Sequence, residues 1–186
     1  MENPTYMKEL VDGLQQQDTD ALEEVMNLYG DKLLRLAIVY MKDYNLAVDI
    51  VQQVFIKLYY HIGQFKDQSS LYTWLYRITI NECKSKIRSW SFRKLLFTDN
   101  LLEKGKTKNI EEDFIKEESK KELFQEILKL KDKYRLVIVL FYYYDFKINE
   151  IAEILETNDN TIKTRLFRGR KLLKNFLIKN KEEYYE

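Results

Sequence analysis

The stretch from Lys147 to Lys174, KINEIAEILETNDNTIKTRLFRGRKLLK, constrains the fold more than any other part of the chain. Ile148, Ile151, Ala152 and Leu155 recur at helical spacing on one face, and the pattern stops at the polar cluster Thr157, Asn158 and Asp159. A second pattern starts at once, with Ile162, Leu166, Leu173 and Phe176 able to face inward. Around that stripe Lys163, Arg165, Arg168, Arg170, Lys171 and Lys174 supply positive charge, and no acid interrupts Asn160 to Asn180. A short helix, a tight turn and a basic second helix are the layout of a helix-turn-helix, whose second helix lies in the major groove of duplex DNA. Asn158 or Asp159 can cap that helix, and the helix N-terminus favours a phosphate. Lysine and arginine neutralise phosphates, and an arginine that reaches a base edge pairs most often with guanine. A basic run by itself usually marks a solvated surface. Here the apolar helix in front, the turn and the cap coincide, and DNA binding is the better reading.

The rest of the chain supplies few residues for any other architecture. One proline, Pro4, and five glycines in 186 residues leave little material for the turns of a β-sheet, so the fold is expected to be all-α. The run LVIVLFYYY from Leu136 to Tyr144 has the composition of a strand. A lone strand among helices has no partner for its backbone groups, however, and Val137, Leu140, Phe141 and Tyr144 fit a helical stripe, so a buried helix is expected.

Charge is unevenly spread behind a net value of +1. Lys84, Lys86, Arg88, Arg93 and Lys94 are unopposed by any acid between Cys83 and Thr98, whereas Glu111 to Glu126 is dominated by carboxylates. Two basic blocks around an acidic one suggest two nucleic-acid contacts joined by a tether that does not bind. The single cysteine, Cys83, excludes an internal disulfide, and the single histidine, His61, leaves no metal-ligand cluster, so neither a metal nor a cofactor is expected. There is no glycine-rich phosphate loop, nucleophile elbow or paired-histidine motif, which argues against an enzyme. No apolar run reaches membrane-spanning length and the N-terminus lacks a signal-peptide core, so a cytoplasmic protein is expected.

In chain order, helices are expected over Thr5 to Gln17, from an Asp20/Glu23 capping pair to about Lys42, from Asn45 to about Ile62, and from Leu71 to Arg88 or Trp90. The third presents Asp49, Gln52, Gln53 and Lys57 off its apolar stripe, with Ile56 exposed and Phe55 at the margin, which hints at a partner surface. Along the fourth and the loop before it, aromatic and basic residues interleave (Phe65, Lys66, Tyr72, Trp74, Tyr76, Arg77, Lys84, Arg88, Trp90), as single-stranded DNA binding requires, although Trp74 is better read as core. Residues 91–118 lose the helical period and read as a linker, with a fraying helix at Ser91 to Leu96. The expected organisation is therefore an N-terminal helical domain over 1–90, a flexible linker over 91–118 and a helix-turn-helix domain over 119–186.

The segments AVDIVQQVFIKLYYHIGQF, LYTWLYRITINECKSKIR, YRLVIVLFYYYDFKINEIAEIL and NTIKTRLFRGRKLLK, in this order, resemble bacterial RNA polymerase sigma factors of the extracytoplasmic-function group. That resemblance implies a non-enzymatic role: binding core RNA polymerase, directing it to promoters and helping to open the DNA. It implies that Asp49, Gln52, Gln53 and Phe55 contact the polymerase. It implies that Phe65, Lys66, Gln68, Ser69 and Ser70, with Arg77, Asn81, Lys84 and Arg88, read the non-template strand of the minus-ten element. For the minus-thirty-five element the matching residues are Asn160, Thr161, Lys163, Thr164, Arg165, Arg168 and Lys171. An anti-sigma factor, often membrane-anchored, is a further partner that the resemblance implies. Three departures stand out: Lys131 follows Leu130 where the family usually has proline, Glu156 stands where glycine is common, and Gln53 replaces a frequent acid. A left-handed Glu156 would carry strain on the order of 1 kcal/mol. The rival reading is a conventional helix-turn-helix regulator that binds an operator directly as a dimer, which leaves the Asp49 to Lys57 surface without a purpose.

Overall fold

The computed structural model describes residues 4–65, 69–96 and 118–183. All regular structure among them is helical, and the chain divides into two compact units, Met1–Lys108 and Asn109–Glu186.

In the first unit α1 (Pro4–Gln15), α2 (Thr19–Met41), α3 (Tyr44–His61) and α4 (Leu71–Leu96) pack into a bundle, with a single 3-10 turn at Ile62–Gln64. The α1–α2 junction is tight: a Cβ on Gly13 would sit 2.9 Å from that of Ala21, so only glycine lets the two helices approach this closely. The N-cap of α2 is Asp18, whose carboxylate accepts from the Asp20 N–H at 2.9 Å, rather than the expected Asp20. The helix then runs unbroken through Gly30 and stops at Lys42 in the left-handed region (φ 56°). Asp43 caps α3 by accepting from Leu46 N–H at 3.0 Å. Val25, Leu33, Leu36, Ala47, Val54, Leu58, Leu75 and Ile80 form the fully sequestered centre. No glycine or proline lies between Leu71 and Leu96, so nothing ends α4 at Trp90, and the helix expected to fray at Ser91 to Leu96 is its continuation.

The second unit holds α5 (Glu118–Lys129), α6 (Asp132–Tyr142), α7 (Ile148–Leu155) and α8 (Asp159–Glu183). The β-prone run is helical only as far as Tyr142, and Tyr143 and Tyr144 fall in the turn that follows; Leu136 to Leu140 are all buried, so α6 is enclosed on every side at its centre rather than along the expected stripe. The turn that lacks the usual proline is held by Arg135, a buried arginine (1% exposed) that sequence periodicity gave no reason to single out. Its guanidinium donates to the carbonyls of Leu128 (3.1 Å) and Leu130 (3.0 Å) and to Asp132 Oδ1 (2.7 Å). It thereby satisfies carbonyls that the end of α5 leaves unpaired. α8 crosses α6 at Gly169, where a Cβ would meet Ile138 Cγ1 at 3.1 Å.

Candidate nucleic-acid interface

The helix-turn-helix is built as the sequence suggests, by local devices. Lys147 N–H donates to the Glu150 carboxylate at 2.7 Å to start α7. Its end is a left-handed Glu156 (φ 55°, ψ 53°) that turns the chain, while Thr157 N–H returns to Ala152 O at 2.9 Å. Asn158 then caps α8 by accepting from Thr161 N–H at 2.8 Å. Ile162, Leu166 and Gly169 are buried, which fixes the rotation of α8. Asn160, Lys163, Thr164, Arg168 and Lys171 are consequently exposed, while Thr161 and Arg165 are half-buried on the flank. Thr164 Oγ1 donates back to Asn160 O at 2.9 Å, so toward a ligand it serves as an acceptor. Phe167, 68% exposed between the basic residues, was passed over in the sequence; an apolar ring on the outer face of a basic helix is suited to a thymine methyl group.

The expected minus-ten residues are less uniformly available. Lys66 and Gln68 lie outside the described residues. Phe65 is not presented to solvent: it is 8% exposed and its ring packs on Trp74 at 5.5 Å between centroids. Trp74 and Tyr76 are buried too, and the Tyr76 hydroxyl accepts from that of Tyr72 at 3.1 Å. The aromatic half of the interleaved pattern is therefore mostly core, because aromatic rings gain more from burial in the bundle than from exposure. Ser70 acts as the cap of α4, its Oγ accepting from Thr73 N–H at 3.0 Å, and Ser69 precedes it half-buried. Arg77, Asn81, Lys84 and Arg88 do share one face of α4, with Lys84 Nζ donating to Asn81 Oδ1 at 3.3 Å.

On α3, Asp49, Gln52 and Gln53 are exposed, and Asp49 Oδ2 lies 3.7 Å from Lys86 Nζ of α4. Phe55 is buried and forms part of a groove wall instead of standing outward. That groove, about 640 Å³, runs between α2 and α3 and is lined by Met26, Leu34, Val51, Phe55, Ile56 and Tyr59 among others. Ile56 (47% exposed) and Tyr60 (70%) stand at its rim, beside Gln52. Cys83 is buried, and burial pushes its thiol up to about 12, so it is an inert core residue.

A helical unit with an apolar groove beside an exposed polar stripe, and a second unit with an exposed basic helix in a helix-turn-helix, are features of proteins that bind DNA and another protein. Comparison with known sequences is specific about which. Residues 25–92 match the family described as Sigma-70 region 2, and residues 120–173 match Sigma-70, region 4. The ECF RNA polymerase sigma factor SigW of Bacillus subtilis is 33% identical over 177 residues, covering 90% of this chain and 95% of that protein. The sigma-E factor of Haemophilus influenzae is 28% identical over 176 residues, 89% of this chain and 92% of the relative. The fold is shared with CnrH, solved with the cytosolic domain of CnrY (TM-score 0.66, 19% identity, 92% of this chain and 96% of that one). It is shared equally with the sigma factor RpoE of Bartonella quintana, solved with the anti-sigma factor NepR (TM-score 0.66, 21% identity, 83% and 95%). The chain belongs to the sigma-70 family, in the extracytoplasmic-function group of RNA polymerase sigma factors.

Proposed function

We propose that this sigma factor directs promoter-specific initiation through three surfaces, in a stress or cell-envelope response. The α3 stripe of Asp49, Gln52, Gln53, Ile56 and Tyr60, with the groove behind it, docks on core RNA polymerase. A rim of exposed aliphatic and tyrosine side chains over an apolar floor suits a helical protein partner. The α4 face of Arg77, Asn81, Lys84 and Arg88 takes the non-template strand of the minus-ten element, together with the loop ahead of it. α8 takes the minus-thirty-five element as duplex, Lys163, Arg168 and Lys171 on phosphates and base edges, and Phe167 against a thymine methyl.

The mechanism is one of binding, and the chain is not an enzyme; the chemistry of RNA synthesis lies with the polymerase. Duplex held by α8 stays in register while bases captured beside α4 offset the cost of unstacking, a few kcal/mol each. Two modest sites on one polymerase-bound chain act at high effective concentration, so affinity appears only in the complex. A cognate anti-sigma factor, as NepR is for RpoE of Bartonella quintana, would hold the factor inactive in the cytoplasm until its signal arrives. No helix among the described residues is long and apolar enough to cross a membrane.

The observation that carries this reading is the division of α8 into a buried side, closed by Ile162, Leu166 and Gly169, and an outer side of exposed cations. Run-off transcription with core polymerase on a genomic library tests it: discrete start sites dependent on the factor are the expected result. Tight, promoter-specific gel shifts by the chain alone, with no stimulation of polymerase, would instead identify a conventional operator-binding regulator.

A further inference from the structure

A polar cleft of about 330 Å³ opens beside the helix-turn-helix, lined by Lys133 and Tyr134 of α6 and by Thr161, Thr164, Arg165 and Arg168 of α8. Lys133 and Tyr134 precede the motif in sequence and carry none of the contacts assigned above. Lys133 Nζ sits 5.1 Å from the centre of the Tyr134 ring. The Tyr134 phenol is held below its ordinary range, mainly by its hydrogen bond with the Arg168 guanidinium, with the charges of Lys133 and Arg168 adding to the effect. Asp132, the nearest acid in sequence, is turned away onto Arg135. Three cations and a phenol hydroxyl thus converge where no carboxylate lines the wall. Such a cleft suits an anion, since nothing in its lining offsets the mutual repulsion of the cations.

We propose that Lys133 and Tyr134 complete, with Arg165 and Arg168, a seat for one backbone phosphate of the duplex. The inference rests on the reading that α8 enters the major groove. A helix with its side chains is about 10–12 Å across and the groove about 12 Å wide, so the phosphate strands run along the flanks of α8. The side of α8 that carries Thr161, Arg165 and Arg168 faces one of those strands, and α6 stands beside it. Because phosphates are the same in every sequence, the seat contributes affinity and register without base preference.

The test uses the full chain bound to core polymerase, with promoter affinity measured from about 50 to about 200 mM salt. Lys133→Gln is expected to lower affinity several-fold at the lowest salt and to make the logarithmic salt slope shallower by about 1, with base preference at every minus-thirty-five position unchanged. Tyr134→Phe, which keeps the ring, is expected to weaken binding less and to leave the melting of the unit unchanged. Lys131→Gln, an equal charge change outside the cleft, should keep the parent slope. A Lys133→Gln variant indistinguishable from parent, or a Lys131→Gln variant that matches its loss, overturns the seat. The double reversal Arg165→Glu with Arg168→Glu separates the two ideas: if it abolishes binding while Lys133→Gln is silent, only the seat fails. If both are silent, the reading of α8 fails with it.

Discussion

The two basic faces of this protein, α4 in the first unit and α8 in the second, look alike in sequence and differ in how their charges are employed. Along α4 two of the cations already have partners within the unit. Lys86 reaches Asp49 of α3 at 3.7 Å, Lys84 donates to Asn81 at 3.3 Å, and Glu82 of α4 holds Lys57. On α8, Lys163 and Lys171 stand exposed with no ion-pair partner among the described residues. A duplex groove is bordered by closely spaced phosphates and rewards cations held ready on a rigid helix. A single strand is bound through fewer charges, and a cation that must first leave a partner on the protein contributes less net affinity. The clefts differ in the same sense: the groove of the first unit is walled by Leu34, Val51 and Phe55, fit for protein, and that of the second by Lys133, Arg165 and Arg168, fit for phosphate.

Charge reversal is the most direct way to break this comparison. Arg165→Glu with Arg168→Glu should lower factor-dependent transcription on the order of 100-fold or more, whereas Lys84→Glu with Arg88→Glu should cost roughly tenfold. Equal losses would mean that the two faces do the same work. Next in size, Ile56→Asp should reduce co-elution with core polymerase about tenfold while leaving the melting of both units in place. Stability should divide along the same line. In the first unit the buried Cys83 thiol keeps its proton where the unfolded chain gives it up. The Cys83 contribution to the unit's stability should therefore fall as pH rises from 9.0 to about 12, a loss that Cys83→Ala removes in alkaline denaturant titrations. In the second unit Gly169→Val should cost about 1–3 kcal/mol by forcing α8 away from Ile138, read as an earlier thermal transition. The smallest effect runs the other way: Glu156→Gly should stabilise that unit by about 1 kcal/mol, since the left-handed turn no longer strains a side chain. A calorimetric scan in which either change moved the first unit equally would contradict the separation of the units.

Helices, caps and the helix-turn-helix were legible in the residues because each depends on neighbours a few positions away. Ile162 and Leu166 at helical spacing, Asn158 ahead of them and the awkward Glu156 are local facts, and local sterics and hydrogen bonds act on them whatever surrounds the unit. Periodicity also placed Lys163, Arg168 and Lys171 on one outer face. Which polar and aromatic groups remain available was decided only by contacts between elements. Phe65 was spent on Trp74, and Arg135 on carbonyls at the end of α5. The cleft of Lys133, Tyr134 and Arg168 likewise exists only because α6 and α8 close on Gly169. A sequence sets the face a side chain occupies on its own helix. The neighbour it meets there follows from packing between segments remote along the chain, and that packing exists only in the folded units.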